Sequence, residues 1–223
     1  MSEPASRRGE KTREAILTAA ESVFAEHGFD GARIDTIAEV SGYNKTLIFR
    51  YFGDKFGLYA EVLKRVDRGM NELQARLAPV LEDETIVSDV QRFRAFLETG
   101  IGALFDYLLE HPNFMRMLTW EMAEGWQTYA KITLLLKIDD INQFATLVHP
   151  MQSAGLLRSG LNPILQLTMI MQICQSYLTS LPLYQMMLPG EDISSANALS
   201  HAREYIIDFV INGIMVDPSE TTL

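Results

Sequence analysis

Residues 33–55, RIDTIAEVSGYNKTLIFRYFGDK, decide the fold of the N-terminal part of this chain. They divide into two short helical segments, residues 33–41 and 44–52, which are joined by a turn that contains Gly42. Two short helices joined by such a turn are typical of a helix-turn-helix. Because a helix of two turns is unstable on its own, we expect apolar side chains of both segments to be buried against a neighbouring helix: Ile37, Ile48 and Phe52.

The other face of the second segment carries side chains that suit the major groove of DNA. Cations can pair with phosphates and guanine edges, a hydroxyl can contact base edges, and aromatic rings can contact sugars or thymine methyl groups. Each of these side chains would be unremarkable on an ordinary solvated helix, so the prediction depends on the motif around them. The candidates are Tyr43, Lys45, Thr46, Phe49 and Arg50.

Helical periodicity extends along the chain on both sides of this motif. Upstream, apolar residues recur at helical spacing from Ile16 to Phe24, and Gly28 stands where a helix would end. Downstream, Asp54 can cap a helix that runs to Val66. No segment shows the sustained alternation of a strand, so the sequence predicts an all-α fold. The later helices are predicted over 87–109, 113–124, 127–154 with a break at Pro150, and 163–181, with 182–189 as a connecting piece. The last helix is predicted to start at Ser194 or Ser195 and to end at Met215.

Composition indicates a folded protein that needs no disulfide or metal to hold its core. The 223 residues are 48% hydrophobic and 22% charged, which is the balance of a globular chain. The single cysteine, Cys174, excludes an intramolecular disulfide, and no Cys/His cluster is spaced to hold zinc. The N-terminus lacks a signal-peptide core, and no stretch is apolar enough to span a membrane. We therefore predict a soluble cytoplasmic protein without a metal, a cofactor or a membrane partner.

Charge is distributed unevenly along the chain. Residues 1–68 hold 11 basic and 11 acidic residues, so the whole net charge of −10 lies in residues 69–223. An acidic body would be repelled by DNA, whereas a locally basic tip can still bind it. Ordinary variation in surface charge would produce the same distribution, and on charge alone both explanations stay open.

The helix-turn-helix stretch resembles the DNA-binding domain of TetR/AcrR-family transcription regulators. The family pattern of I-A, then G-hydrophobic-S, then L-Y-x-Y-F and a following lysine corresponds to residues 37–38, 42–44 and 48–52 and to Lys55. The resemblance covers residues 10–60 without a gap. The preceding helix is similar as well, at Ile16, Ala19, Ala20, Phe24 and Gly28.

The resemblance implies which side chains contact DNA, when the family's contacts are assigned to the matching positions of this sequence. Tyr43, Lys45 and Thr46 would face bases, and backbone N–H groups at the start of the fourth helix would assist the phosphate contacts of Tyr51 and Lys55. Tyr51 could instead belong to the core, and Lys55 could be an ordinary solvated residue. Because Arg33, Phe49 and Arg50 depart from the usual family residues, the operator sequence does not follow from relatives. The predicted DNA-binding set is Arg33, Tyr43, Asn44, Lys45, Thr46, Phe49, Arg50, Tyr51 and Lys55.

The resemblance also implies two domains and a homodimer. The helix-turn-helix, residues 33–52, would lie in a DNA-binding domain over 7–56, followed by a larger helical ligand-binding and dimerisation domain over 57–218, with 1–6 and 219–223 disordered. In this family the last two long helices form the dimer, and its two-fold axis would place two recognition helices about 34–36 Å apart on a palindromic operator. The interface candidates are Leu165, Met169, Cys174, Tyr177, Tyr205 and Phe209.

Large, deformable side chains in the middle of the chain suit a pocket for an apolar or aromatic effector. Methionine repacks around varied shapes, and aromatic residues commonly line ligand pockets. The same residues would also fit an ordinary core, which residue by residue is the simpler interpretation. The sequence does not identify the effector. The pocket candidates are Phe96, Phe105, Met117, Trp120, Glu121, Trp126 and Tyr129.

Nothing in the sequence indicates an enzyme. The four histidines are scattered, and no catalytic motif such as GxSxG, HExxH or a Walker sequence is present. We therefore predict no catalytic residue. The family resemblance implies a homodimeric repressor that a small effector releases from a palindromic operator. The alternative is a ligand-binding or protein-interaction module of the same fold that no longer reads DNA. Specific DNA binding weakens steeply with salt, whereas contacts between proteins weaken much less.

Overall fold

The computed structural model describes residues 5–65, 89–136, 150–158, 160 and 162–216. Within these ranges the regular secondary structure is helical, and the only strand-like feature is one isolated antiparallel bridge. The all-α prediction is therefore confirmed. None of the described helices is both long and apolar enough to cross a membrane.

The described residues divide between two compact units. The first unit takes its residues from 1–71 and 111–137, and the second unit takes its residues from 72–110 and 138–223. The first unit therefore holds the helix-turn-helix together with two helices from the middle of the chain. The domain boundary between residues 56 and 57 stays a prediction.

The first unit begins with four helices that follow one another closely. The first helix starts at Ala5, inside the segment 1–6 that the sequence predicts to be disordered, and it is kinked at Gly28. Residues 1–4 and 219–223 of the predicted disordered ends lie outside the described residues. The helices are α1, Ala5–Gly31; α2, Ile34–Ser41; α3, Lys45–Phe52; and α4, which begins at residue 55 and is described to residue 65.

The six later helices agree with the predicted pattern except in one segment. Residues 181–187, predicted as a connecting piece, are helical, because Pro182 stands in the first turn, where its missing N–H leaves no helical bond unmade. Of the helix predicted over 127–154, residues 137–149 lie outside the described residues and 150–153 are helical. The later helices are α5, Val90–Glu110; α6, Pro112–Ala123; α7, Gln127–Leu136; α8, Pro163–Thr179; α9, Leu181–Met187; and α10, Ala196–Ile214.

Two local features set the turn between α2 and α3. Gly42 ends α2 with a φ of 72°, a left-handed conformation that residues with a Cβ rarely adopt. Asn44 is the N-cap of α3, and its side-chain oxygen accepts a hydrogen bond from the backbone N–H of Leu47 at 2.9 Å. Arg33 is the N-cap of α2 and makes no capping side-chain bond. The helix-turn-helix geometry is therefore encoded within this short stretch.

The apolar sides of α2 and α3 are buried against α1 and α4. Ile37 and Ile48 have no exposed surface, and Phe52 is 8% exposed, as predicted. Burying a side chain of this size contributes about 1.5–3 kcal/mol, so packing holds these two-turn helices in place. Their neighbours in the same apolar cluster include Ile16, Leu17, Phe24, Leu58 and Val62.

α6 and α7 complete the first unit. The indole N–H of Trp120 in α6 donates to the carbonyl oxygen of Ala25 in α1 at 3.3 Å. Glu121 is 1% exposed and accepts two hydrogen bonds, from the hydroxyl of Tyr59 at 2.7 Å and from the backbone N–H of Tyr129 at 3.0 Å. One buried carboxylate therefore joins α4, α6 and α7.

α5, α8 and α10 form the body of the second unit, in which α5 packs against both other helices. The guanidinium of Arg203 in α10 makes two hydrogen bonds to Asp106 in α5, at 2.9 and 3.0 Å. Arg94 in α5 pairs with Asp208 in α10 at 3.0 Å. These contacts fix the α5–α10 pair. The buried core of these helices includes Phe93, Ile101, Phe105, Ile170, Cys174, Ile207 and Val210.

Candidate nucleic-acid interface

A cationic, hydroxyl-bearing and aromatic surface covers the exposed side of α3. The opposite side of α3 is buried through Ile48 and Phe52. Tyr43 and Tyr51 are half-buried, because each also packs against the apolar cluster of the first unit. The exposed members of the predicted DNA-binding set in this segment are Asn44, Lys45, Thr46, Phe49 and Arg50.

Lys45 is held in an ion pair. Its Nζ lies 2.5 Å from Oδ1 of Asp35, which belongs to α2. Both side chains are well exposed, so water and salt screen the pair and it contributes little to stability. A phosphate or a guanine edge can therefore replace Asp35 at small cost, and Asp35 holds the Lys45 ammonium beside the exposed face of α3.

Arg50 and Tyr51 form the C-terminal part of this surface. The central guanidinium carbon of Arg50 lies 5.9 Å from the centroid of the Tyr51 ring, which is a cation–π distance. The Tyr51 hydroxyl also approaches α1, because a Cβ built on Gly9 would lie 3.5 Å from that oxygen. Tyr51 therefore connects the exposed end of α3 with the first turns of α1.

Arg33 and Lys55, the other two predicted DNA-binding residues, lie outside α3. Arg33 is exposed at the start of α2. The Lys55 ammonium donates to the backbone carbonyl of Asp30 at 3.1 Å and lies 4.8 Å from the centroid of the Phe29 ring. Burial lowers the pKa of Lys55, and the charges of Asp30 and Glu124 oppose that shift. Lys55 holds the end of α1 against the start of α4, so contact with a phosphate requires it to leave these partners.

The predicted pocket residues are divided between the two units. Phe96 and Phe105 belong to the second unit, where Phe105 is buried and Phe96 is half-buried. The other five belong to the first unit, where their exposure ranges from buried to well exposed. These five are Met117, Trp120, Glu121, Trp126 and Tyr129.

Glu121, one of the predicted pocket residues, has a structural role in the first unit. Both of its carboxylate oxygens accept hydrogen bonds, from the Tyr59 hydroxyl and from the Tyr129 backbone. Burial, followed by the hydrogen bond to Glu121 and the charge of that carboxylate, raises the pKa of Tyr59. The Tyr59 hydroxyl therefore stays protonated and remains a donor. A ligand that bound Glu121 would have to replace one of these two bonds.

The two tryptophans lie at the junctions of α6 with its neighbours. A Cβ on Gly28 would lie 3.0 Å from the Trp120 ring, so the ring packs directly over the kink in α1. Trp126 has a φ of 62°, which is unusual for a residue with a side chain and costs conformational energy. Its ring meets that of Tyr129 edge to face, with 5.7 Å between centroids. Both rings thus contribute to the packing of the first unit.

An apolar stripe covers the exposed sides of α8 and α10 in the second unit. Leu165 and Met169 are 51% and 50% exposed in α8, and Tyr205 and Phe209 are 72% and 60% exposed in α10. The rings of Tyr205 and Phe209 stack with 6.5 Å between their centroids. We call these four residues the α8/α10 stripe. Three of the four, Met169, Tyr205 and Phe209, line a groove of about 840 Å³.

Cys174 and Tyr177, the other interface candidates, lie elsewhere in the second unit. Cys174 has no exposed surface, and burial raises the pKa of its thiol to about 11. Tyr177 is half-buried, and its ring lies 6.3 Å from that of Phe105 and 5.9 Å from that of Tyr184. Both residues contribute to the interior of the unit and stand apart from the α8/α10 stripe.

The partners of two predicted DNA-binding cations, Lys45 and Lys55, are not predicted by the sequence analysis. Asp35 pairs with Lys45, and the backbone of Asp30 binds Lys55. Each pair joins two helices, so no short sequence pattern marks it. Among the residues that the structure describes, no group of three or more histidine, cysteine, aspartate or glutamate side chains is arranged to hold a metal ion.

Two family models match the chain. The model described as "Bacterial regulatory proteins, tetR family" matches residues 16–62, which include the helix-turn-helix. The model described as "Tetracyclin repressor-like, C-terminal domain" matches residues 94–210, just over half of the chain.

Named relatives and solved structures agree with these matches. The HTH-type transcriptional repressor NicS of Pseudomonas putida is 26% identical over 93% of this chain and 94% of its own length. The HTH-type transcriptional repressor SCO4008 of Streptomyces coelicolor is 39% identical over 54% of each chain. The crystal structure of SCO4942 from Streptomyces coelicolor has a TM-score of 0.62 at 25% identity, covering 91% of this chain and 98% of that one. The SmeT–triclosan complex shares the fold, with a TM-score of 0.60 at 17% identity over 93% of both chains.

Proposed function

The chain belongs to the tetR family of bacterial regulatory proteins and is a DNA-binding regulator, and from that premise we propose that it is a homodimeric repressor of a palindromic operator. A small apolar or aromatic molecule releases it from that operator. One observation carries the proposal. α3 presents Lys45, Thr46 and Arg50 to solvent while Ile48 and Phe52 anchor its other side.

α3 has the chemistry of a recognition helix. The major groove admits an α-helix, and it displays guanine acceptors that a lysine can contact and base edges that a hydroxyl can contact. Lys45 and Thr46 stand in the first turn of α3, so they are its base-reading residues. Arg50 stands one turn later and binds phosphate. Asn44 uses its side-chain oxygen to cap α3, so it positions the helix.

The α8/α10 stripe supports a homodimer. Its four large apolar side chains are each at least half exposed in the single chain, and a two-fold contact would bury them against the same residues of a second copy. Such a dimer presents two copies of α3, which read two half-sites about 34–36 Å apart. The operator is therefore an inverted repeat.

A small effector is proposed from the interior of the second unit. The rings of Phe105, Tyr177 and Tyr184 form a continuous series of contacts, and aromatic side chains of this kind recognise apolar or aromatic ligands. Triclosan in the SmeT complex is a small molecule bound by a protein of the same fold. A coupling free energy of about 1–3 kcal/mol between effector and operator would change operator affinity roughly 5- to 150-fold.

A second candidate is a module of this fold that no longer reads DNA. The observation in its favour is that Lys45 and Lys55 already have protein partners, namely Asp35 and the carbonyl of Asp30. Salt separates the two candidates, because specific DNA binding weakens steeply as salt rises and a protein–protein contact does not.

Selection of bound sequences from random duplex DNA at about 0.15 M salt tests the proposal. Recovery of an inverted repeat is the expected result, and it supplies a probe with which to screen small molecules for release. Recovery of no sequence, from protein shown to be folded and dimeric, would favour the module that no longer reads DNA.

A further inference from the structure

Two arginines lie near the start of α1, in the first unit. Arg7 and Arg8 are both exposed. Among the residues that the structure describes, no acidic side chain lies within 4.0 Å of either guanidinium. Glu10 and Glu14 are near Arg7 on the same helix and line a shallow depression with it, but neither forms an ion pair with Arg7. Both guanidinium groups are therefore available to an external anion.

The availability of Arg7 and Arg8 contrasts with the state of three cations that lie at or near the candidate DNA surface, Arg13, Lys45 and Lys55. Arg13 pairs with Glu61 and lies over the Phe52 ring at 5.5 Å. Lys45 pairs with Asp35, and Lys55 binds a backbone carbonyl. A cation that is already paired must give up its partner to bind DNA, whereas an unpaired one gains its first partner there.

The packing of α1 against α3 brings the two arginines close to the candidate DNA surface. The Tyr51 hydroxyl of α3 lies 3.5 Å from where a Cβ of Gly9 would be, and Gly9 directly follows Arg8. Arg50, next to Tyr51 in the chain, is exposed at the same end of α3. The start of α1 therefore lies beside the end of α3 that carries Tyr51 and Arg50, and Arg8 and Arg7 stand one and two residues before the contact at Gly9.

We propose that Arg7 and Arg8 bind the phosphate backbone of DNA beside the groove that α3 enters, so that the first unit contacts DNA through α1 as well as through α3. The guanidinium group forms two parallel hydrogen bonds with phosphate oxygens and keeps its charge at all working pH values. Phosphate contacts position a protein on DNA and carry no sequence information directly. The two arginines thus add affinity and salt dependence and leave sequence preference unchanged. This inference rests on the proposed function.

The test is the salt dependence of operator binding by the double variant R7Q/R8Q. The probe is a duplex of about 30 base pairs that carries the selected inverted repeat and spans both half-sites. Each arginine that neutralises a phosphate adds about 0.9 to the slope of log affinity against log salt, so replacing both arginines in both protomers of a dimer should make the slope shallower by about 3.6. The single variants R7Q and R8Q divide this effect between the two residues.

Two further variants separate a local contact from a general effect of charge. R116Q/K131Q removes the same two charges from exposed positions of α6 and α7 in the first unit, and it should leave the slope nearly unchanged. R7K/R8K keeps the charge and should retain most of the wild-type slope. Thermal unfolding of each variant checks that the fold is intact.

The outcomes distinguish this inference from the proposed function. A shallower slope for R7Q/R8Q with the same selected sequence supports the contact. A wild-type slope for R7Q/R8Q, or an equal change in R116Q/K131Q, overturns it and leaves the operator-binding proposal standing. If the wild-type protein selects no sequence, the proposed function fails, and the contact through α1 fails with it.

Discussion

At the scale of single residues, the ion pair that Lys45 forms with Asp35 affects how the Lys45 ammonium can contact DNA. Its ion pair with Asp35 joins α3 to α2, and an exposed pair of this kind contributes about 0.2–1 kcal/mol. A base contact by a well-placed cation contributes more than that to discrimination. Asp35 therefore orients Lys45 in the unbound protein without preventing it from reading a base.

Replacing Lys45 with alanine should weaken binding to the selected operator by about 1–3 kcal/mol and relax the sequence preference at one symmetric pair of positions. The physical reason is the loss of a charge-assisted donor to a guanine edge. Titration of labelled operator, followed by repeated sequence selection, measures both effects. Lys131→Ala, an exposed lysine of α7, is the control, and an unchanged profile for Lys45→Ala would show that Lys45 is only solvated.

At the scale of helices, the first unit depends on polar contacts between elements that are far apart in sequence. Glu121 joins α4, α6 and α7 through the Tyr59 hydroxyl and the Tyr129 backbone. Glu61 in α4 accepts bonds from Arg13 in α1 and from Lys64 in its own helix. α4 is thus held on two sides, by α6 and by α1.

Tyr59→Phe should lower the free energy of unfolding by about 1–3 kcal/mol, because the buried Glu121 carboxylate loses its hydroxyl donor while the ring stays in place. Urea denaturation at neutral pH measures the change. Ser200→Ala is the control, since Ser200 is exposed on α10 outside the α8/α10 stripe and removal of its hydroxyl should change stability little. Equal stability of Tyr59→Phe and the wild type would contradict the role assigned to this bond.

The contribution of Glu61 should depend on pH. Burial by itself would raise the pKa of Glu61, but the hydrogen bonds and charges of Lys64 and Arg13 outweigh it and lower that pKa. The unfolded-state pKa of a glutamate is about 4.3. A carboxyl group whose pKa is lower in the folded state stabilises the fold at pH values above the unfolded-state pKa, and this stabilisation is lost as the pH falls through the folded-state pKa.

Glu61→Gln should therefore be less stable than the wild type at pH 7, and the difference should shrink as the pH falls below about 4. Urea midpoints of both proteins across that range give the comparison. Glu98→Gln, which removes an exposed carboxylate of α5 that pairs with Arg94 on the same helix, should show a much smaller effect. A difference that is constant with pH would mean that Glu61 acts through packing alone.

At the scale of the whole molecule, regulation requires two copies of the chain. The α8/α10 stripe is the apolar surface proposed for that contact, and a charged residue within it would remain without a partner when a second copy packs against it. Dimerisation and operator affinity should therefore be lost together, because one α3 alone reads only half of an inverted repeat.

Phe209→Glu should convert the protein to a monomer in sedimentation equilibrium and reduce operator affinity by at least about tenfold, the equivalent of about 1.4 kcal/mol. Met186→Glu is the control, because Met186 is 79% exposed on α9 of the same unit and outside the stripe. A dimeric Phe209→Glu protein would exclude the stripe as the interface. A monomeric Met186→Glu protein would place the interface on α9.

The sequence by itself determined the features of this protein that depend on neighbouring residues. The positions of Asn44 and Asn162 predict the starts of α3 and α8, because an N-cap acts on backbone groups two or three residues away. For α10 the sequence offers Ser194 or Ser195, and the structure has Ser195 as the N-cap. Helical periodicity predicts which sides of α2 and α3 are buried. The helix-turn-helix motif is likewise contained in one short stretch, which is why its family could be recognised.

Only the tertiary structure decided which distant residues meet. Lys45 meets Asp35 and Glu121 meets Tyr59, and the predicted pocket residues fall into two separate units. Cys174, an interface candidate from the family resemblance, is buried in the second unit. Helical spacing places a residue on a side of its helix, but the neighbours of that side are set by how helices pack. That packing depends on the summed burial of many side chains, and no local pattern records it.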